Sequence, residues 1–328
     1  MNGGKDYGFD TENTDYGFRR IHKVFLRGFA SWRETLARFV VNHSPMKKTV
    51  FLLMLISSVA FAQKSKPVDA DQGKPIVIGT SVELKSTILN ETRTLNIYLP
   101  QDYNANDTTN YPVVYLLDGG MDEDFIHICG LFQFNSFEWI DRVKTSIIVG
   151  ITNSNRKRDM TFPSTVASEQ KNFPTAGHCD NFISYIEKEV QPYIEKNYKV
   201  SNSKTLIGES LGGLLATQIL LTKPQLFNKY IIVSPSLWWD AGSMLNQNFS
   251  KLDSLSSSTE IYLAVGKEGL TPTEPARVME VDVNLLAEKL EATKNKNVKV
   301  FFDYLPDEDH ATILHQAVYN AIKKFAAN

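Results

Sequence analysis

Cysteine is almost missing from this chain: Cys129 and Cys179 are the only two thiols in 328 residues. That excludes a disulfide-stapled scaffold and a zinc site built from four cysteines, and leaves room for one disulfide at most. An excess of one charge sign is missing too, with 35 Lys+Arg against 37 Asp+Glu and a formal net charge of −2. Without a basic surplus there is no electrostatic footprint for nucleic acid. Ligand-spaced histidines are also lacking. His127 and His178 stand apart and read as structural or rim residues, so no metal site is expected. What is present is apolar material, 42% of the chain, enough to bury a large core and too much for a mainly disordered protein.

The longest apolar run follows Met46-Lys47-Lys48. Val50 to about Ile56 is apolar, then small residues lead to Ala60-Phe61-Ala62. The run is shorter than the ~20 residues of a spanning helix and ends in the small-x-small pattern, so it reads as a secretory signal cleaved after Ala62. Such segments begin a chain, which makes Met46 the expected start. Residues 1–45, with two copies of Asp-Tyr-Gly-Phe, are then a spurious or disordered extension, 46–62 the signal peptide and 63–75 a linker. Residues 76–328 form one domain, expected to be periplasmic or secreted with no stable membrane anchor after cleavage. N-terminal sequencing of the secreted product that began elsewhere than about Gln63 would refute this.

From residue 76 the chain alternates β-rich runs with helical patterns. Ile76–Leu84 and Thr92–Leu99 suggest a hairpin turning near Asn90. Pro112–Leu117 and Ser146–Ile151 are continuous apolar runs, as in strands buried on both faces of a parallel sheet. Lys204–Ile207, Tyr230–Val233, Glu260–Val265 and Val298–Tyr304 complete eight strands. Helices are expected over Phe182–Tyr198 and about 212–222, 276–293 and 311–326. The pattern predicts a doubly wound α/β domain with a mostly parallel eight-stranded sheet and helices on both faces. Residues 153–178 and 236–259 are the longest irregular connections, where function tends to concentrate.

After the strand ending at Ile207 stands Gly208-Glu209-Ser210-Leu211-Gly212-Gly213, then helix formers. This is Gly-x-Ser-x-Gly between strand and helix, a sharp turn that exposes a serine at a helix N-terminus and tolerates only small neighbours at 208 and 212. A serine hydroxyl needs a base beside it. The chain order Ser, acid, His directs the search downstream. His310 follows the last strand directly, whereas His315 falls inside a helical pattern and reads as a helix-surface residue. Glu268, after Glu260–Val265, is the first choice for the acid, with Glu274, Glu280 and Asp282 as alternatives. Leu211 N–H and a donor from Gly120 or Met121, in the loop after Pro112–Leu117, would form the oxyanion hole.

These residues resemble a known family. Gly208–Gly213, Leu117-Asp118-Gly119, Arg158-Asp159-Met160-Thr161, Glu189-Val-Gln-Pro-Tyr-Ile194, Ser234-Pro-Ser-Leu-Trp-Trp239 and the late His310 are similar to the esterase branch of the α/β-hydrolases. That branch includes esterase D-like enzymes, feruloyl esterases and siderophore esterases. The resemblance covers about 76–326 and implies an α/β-hydrolase fold with cofactor-free hydrolysis of a small carboxylic ester, Ser210 and His310 being carried over directly. Glu209 departs from the histidine that many relatives place there. Trp238 and Trp239 are expected to line the pocket and stack on an aryl acyl group, and Arg158, with Arg156 and Lys157 in the same basic triplet, to attract an anionic substrate. The substrate expected is a siderophore-type or other aryl ester. The alternatives are a feruloyl or acetyl ester of polysaccharide, or a ligand-binding protein that keeps the fold.

Overall fold

The computed structural model describes residues 74–327, apart from 107 and 274. The proposed extension and signal peptide, and nearly all of the linker, lie outside the described residues. Residues 76–328 form a compact unit.

Eight strands make one sheet: β1 (Thr80–Ser86), β2 (Glu91–Tyr98), β3 (Tyr111–Leu117), β4 (Ile147–Ile151), β5 (Val200–Glu209), β6 (Lys229–Val233), β7 (Thr259–Gly266) and β8 (Val298–Leu305). Their order is β1-β2-β4-β3-β5-β6-β7-β8. The sheet is mixed. β2 runs antiparallel to both β1 and β4, and the remaining pairs are parallel. The continuous apolar runs fall on interior strands, as expected: β4 is buried throughout and β7 nearly so.

Among the described residues the eight α-helices are α1 (Phe125–Asn135), α2 (Arg156–Met160), α3 (Ala167–Asn172), α4 (Cys179–Tyr185), α5 (Gln191–Asn197), α6 (Leu211–Thr222), α7 (Met279–Glu291) and α8 (Ile313–Ala326). α4 to α7 pack with one sheet face into the larger core, while α1 and α8 cover the other. In α8, Ile313, Leu314, Val318 and Ile322 are buried at helical spacing. At ~1.5–3 kcal/mol for each buried side chain, this stripe contributes on the order of 6–12 kcal/mol. Both cysteines are buried and free.

Three expectations need correction. β1 begins at Thr80 rather than Ile76, because its only neighbour, β2, pairs no further than Ile97 against Thr80. Ile76 and Val77 are left exposed. β5 is longer than Lys204–Ile207, running from Val200 to Glu209 between two pairing partners. The helix anticipated over Phe182–Tyr198 is broken by a π-turn, Ile186–Val190, in which Gln191 N–H donates to Ile186 O. Pro192 follows. Its ring has no N–H to offer Lys188 O and crowds that carbonyl, so the helix widens just before it.

Candidate active site

The carboxyl ends of β3 to β8 lie along one edge of the sheet, the edge where open α/β sheets bind ligands. Three neighbouring strands there end in non-glycine residues with positive φ: Asp118 after β3 (54°), Ser210 after β5 (59°) and Ser234 after β6 (41°). Each costs of order 1–3 kcal/mol and persists because the surroundings hold it. Ser210 N–H donates to Val233 O at 3.1 Å and Ser234 N–H to Ala264 O at 2.8 Å, so each turn is tied to the next strand. The glycines flanking the serine are required by close approach. A Cβ on Gly208 would lie 2.4 Å from Gly212 O, and one on Gly212 would press on Asp118 Oδ2 at 3.1 Å.

Ser210 Oγ lies 3.0 Å from His310 Nε2, and His310 Nδ1 lies 2.6 Å from Glu268 Oε2. These three are brought together from strand ends 42 to 100 residues apart. The ionised carboxylate can only accept, so Nδ1 carries the proton and Nε2 of the neutral ring faces the serine as acceptor. The hydrogen bond to Glu268 holds the imidazole above its ordinary range; burial and Arg156 oppose it, and the charge of Glu209 adds to it.

The Glu268 carboxylate is itself fixed. Its side chain is 4% exposed, and Oε1 accepts from Ser234 Oγ and, at 3.2 Å, from Gly266 N–H. Glu280 and Asp282 take other places. Glu280 accepts from the N–H groups of Glu268 (2.8 Å) and Gly269 (3.0 Å), which stabilises the acid's loop, and Asp282 pairs with Arg277. Glu274 lies outside the described residues.

The donor expectations divide. Leu211 N–H opens α6, where the first amides have no partner within the helix. Gly120 N–H donates to Glu123 Oε2 at 2.8 Å, so this expected donor is engaged by a carboxylate three residues on. Among the described residues Met121 N–H has no partner, and the second donor expectation narrows to it.

Two pocket expectations are corrected. Trp239 is core: it is 2% exposed, its Nε1 donates to Phe162 O at 2.8 Å, and Phe173 packs beside it. Trp238, two residues beyond Ser236, is half-buried and retains some accessible surface. Arg158 is not open to substrate, because Glu91 takes two of its nitrogens and Asp159 a third. This pair also surrounds Arg93, whose 1%-exposed side chain donates to Asp159 at 2.7 Å and Glu91 at 2.8 Å. Of that triplet it is Arg156 that stands at the site, gripping Asp118 through Nε (2.6 Å) and Nη2 (2.9 Å) and reaching Glu209 O at 3.3 Å. His315 lies on α8 with His127 5.7 Å away, far in role from the serine.

Ser236 was not anticipated. Its Oγ lies 3.3 Å from Ser210 Oγ, and its N–H donates to Ser210 O at 2.9 Å. It stands in the Ser234–Trp239 run that carries the family resemblance, but nothing in that run assigns it a role.

A family model described as "Putative esterase" matches residues 86–312. The chain is 29% identical over 265 residues to the ferri-bacillibactin esterase BesA of Bacillus subtilis, covering 75% of this chain and 89% of that one. Among solved structures it is similar to an IroE-like serine hydrolase from Shewanella oneidensis, with TM-score 0.67 and 32% identity over 75% of this chain and 79% of the other. The BES protein from Bacillus cereus superposes with TM-score 0.66 at 28% identity, covering 77% and 97% of the two chains.

Proposed function

The chain belongs to this esterase family and is an esterase, and from that premise we propose that it cleaves a siderophore-type or related aryl ester through a covalent acyl-enzyme on Ser210. The observation that carries the reading is the continuous relay of Ser210 Oγ, His310 Nε2, His310 Nδ1 and Glu268 Oε2 at 3.0 and 2.6 Å. Ser210 attacks the ester carbonyl as His310 takes its proton at Nε2. The developing oxyanion is met by Leu211 N–H and Met121 N–H. Collapse expels the alcohol, which receives that proton, and water repeats the sequence to release the acid. Glu268 holds the ring and stabilises the imidazolium without itself being protonated.

The substrate class draws on the similarity to BesA, a ferri-bacillibactin esterase, and half-buried Trp238 beside Ser236 is a surface on which an aryl group could stack. A location outside the cytoplasm draws on residues 46–62 alone. Ser210→Ala should lower kcat on p-nitrophenyl butyrate by ~10^6-fold, as in other serine hydrolase triads. A variant near the wild-type rate overturns the mechanism. A panel of tricatechol lactone, feruloyl-sugar and acetyl-xylan esters tests the acyl group; preference for acetyl-xylan overturns the aryl-ester reading.

A further inference from the structure

Glu209 is a half-buried carboxylate beside the nucleophile that the relay does not use. Its Oε1 lies 3.5 Å from His310 Nε2, the side chain is 17% exposed, and Oε1 is buried with no hydrogen-bond partner. Arg156 comes close but donates to the backbone carbonyl of Glu209, its guanidinium being held by Asp118. His310 therefore has a carboxylate on each side, Glu268 at Nδ1 and Glu209 at Nε2. The first is hydrogen-bonded and fixed. The second waits at the edge of contact.

Building on the serine-esterase reading, we propose that Glu209 is a positioning residue that holds the imidazolium of His310 from the Nε2 side during acyl transfer. In the resting enzyme the Nε2 lone pair faces Ser210 Oγ, and an ionised Glu209 would oppose it. Once Ser210 Oγ bonds to the acyl carbon and its proton moves to Nε2, the new N–H faces an anion instead. The bond from acyl carbon to alcohol oxygen then breaks and the proton passes on to that oxygen, Glu209 having steadied the cation in between. The charged and titratable groups facing Glu209 are His310 from the β8–α8 loop, Arg156 from α2, and Asp118 and Asp124 from the loop after β3. Burial is the main cause that pushes its carboxyl up to about 7, with Asp118 and Asp124 adding and His310 and Arg156 opposing. Two groups this close titrate as a pair, neutral imidazole favouring protonated Glu209 and imidazolium favouring its anion.

The test is the pH profile of kcat/KM for p-nitrophenyl butyrate in wild type, Glu209→Gln and Glu209→Asp. Removing an anion near His310 makes its proton easier to lose, so in E209Q the acid limb should move about one pH unit toward acid. E209D keeps the charge and should move it less. Equal displacement in both variants, or an unmoved limb in an E209Q protein fully labelled by a fluorophosphonate, overturns the proposal. A second readout keeps Glu209 in place: the NMR titration of His310 in Ser210→Ala should show the two-step curve of a coupled pair, and a single-site curve overturns it. Failure of the underlying reading looks different, since S210A would then retain wild-type turnover whatever Glu209 does.

Discussion

Replacing Glu268 by glutamine changes one atom and, on this geometry, forces the wrong histidine tautomer. Oε1 already accepts from Ser234 Oγ and Gly266 N–H, so the amide oxygen of a glutamine takes that place. The NH2 group then points at His310 Nδ1, now 2.6 Å from Oε2. Two donors cannot face each other, so Nδ1 gives up its proton and Nε2 carries one instead. The ring can no longer accept from Ser210. The corresponding substitution in a serine protease triad costs ~10^4 in kcat, which at 1.36 kcal/mol per decade is about 5 kcal/mol of barrier. Single-turnover acylation by p-nitrophenyl butyrate, followed on protein with wild-type circular dichroism, isolates the step. A folded E268Q enzyme that acylates within tenfold of wild type would refute both the tautomer argument and the choice of acid.

Asp159→Ala should destabilise the domain by about 3–5 kcal/mol in urea unfolding, because it leaves the buried Arg93 cation short of a partner; a loss below about 1 kcal/mol would show the pair to be dispensable. Gly208→Ala should cost about 1–3 kcal/mol and slow fluorophosphonate labelling, since its Cβ meets Gly212 O; unchanged labelling and melting would mean the turn can open freely. Trp239→Phe should cost about 1–3 kcal/mol by stranding Phe162 O, and a neutral result would return Trp239 to the pocket. The acid limb of kcat/KM in wild type should fall above the ordinary imidazole value of about 6.5, because the raised His310 must lose its proton before it can act as base; a limb below that value contradicts the Glu268 contact.

What could be read in the sequence was whatever depends on short-range pattern. Gly208 to Gly212 encodes a steric demand within five residues, and the apolar runs of β3, β4, β6 and β7 encode burial on two faces. The order of the chain then led from Ser210 to His310 and Glu268. What was hidden depends on who stands opposite. Arg158 and Trp239 look like binding residues in isolation, and only the fold brings Glu91 to the one and Phe162 to the other. The choice between Gly120 and Met121 stays open in the sequence for the same reason, the Gly120 amide being met by Glu123 in a turn whose side-chain directions the sequence does not carry. The π-turn was the exception, since Pro192 was in plain view and its effect on a helix interior is general.

The left-handed residues at the ends of β3, β5 and β6 have a bearing on engineering. Glycine would occupy all three conformations without strain, so Asp118→Gly, Ser210→Gly and Ser234→Gly would each relax the backbone. Yet these are the side chains that grip Arg156, meet His310 Nε2 and anchor Glu268. The most durable version of this fold and the most reactive one are therefore different sequences, and selection for heat resistance without selection for turnover would be drawn to the residues that hold the chemistry.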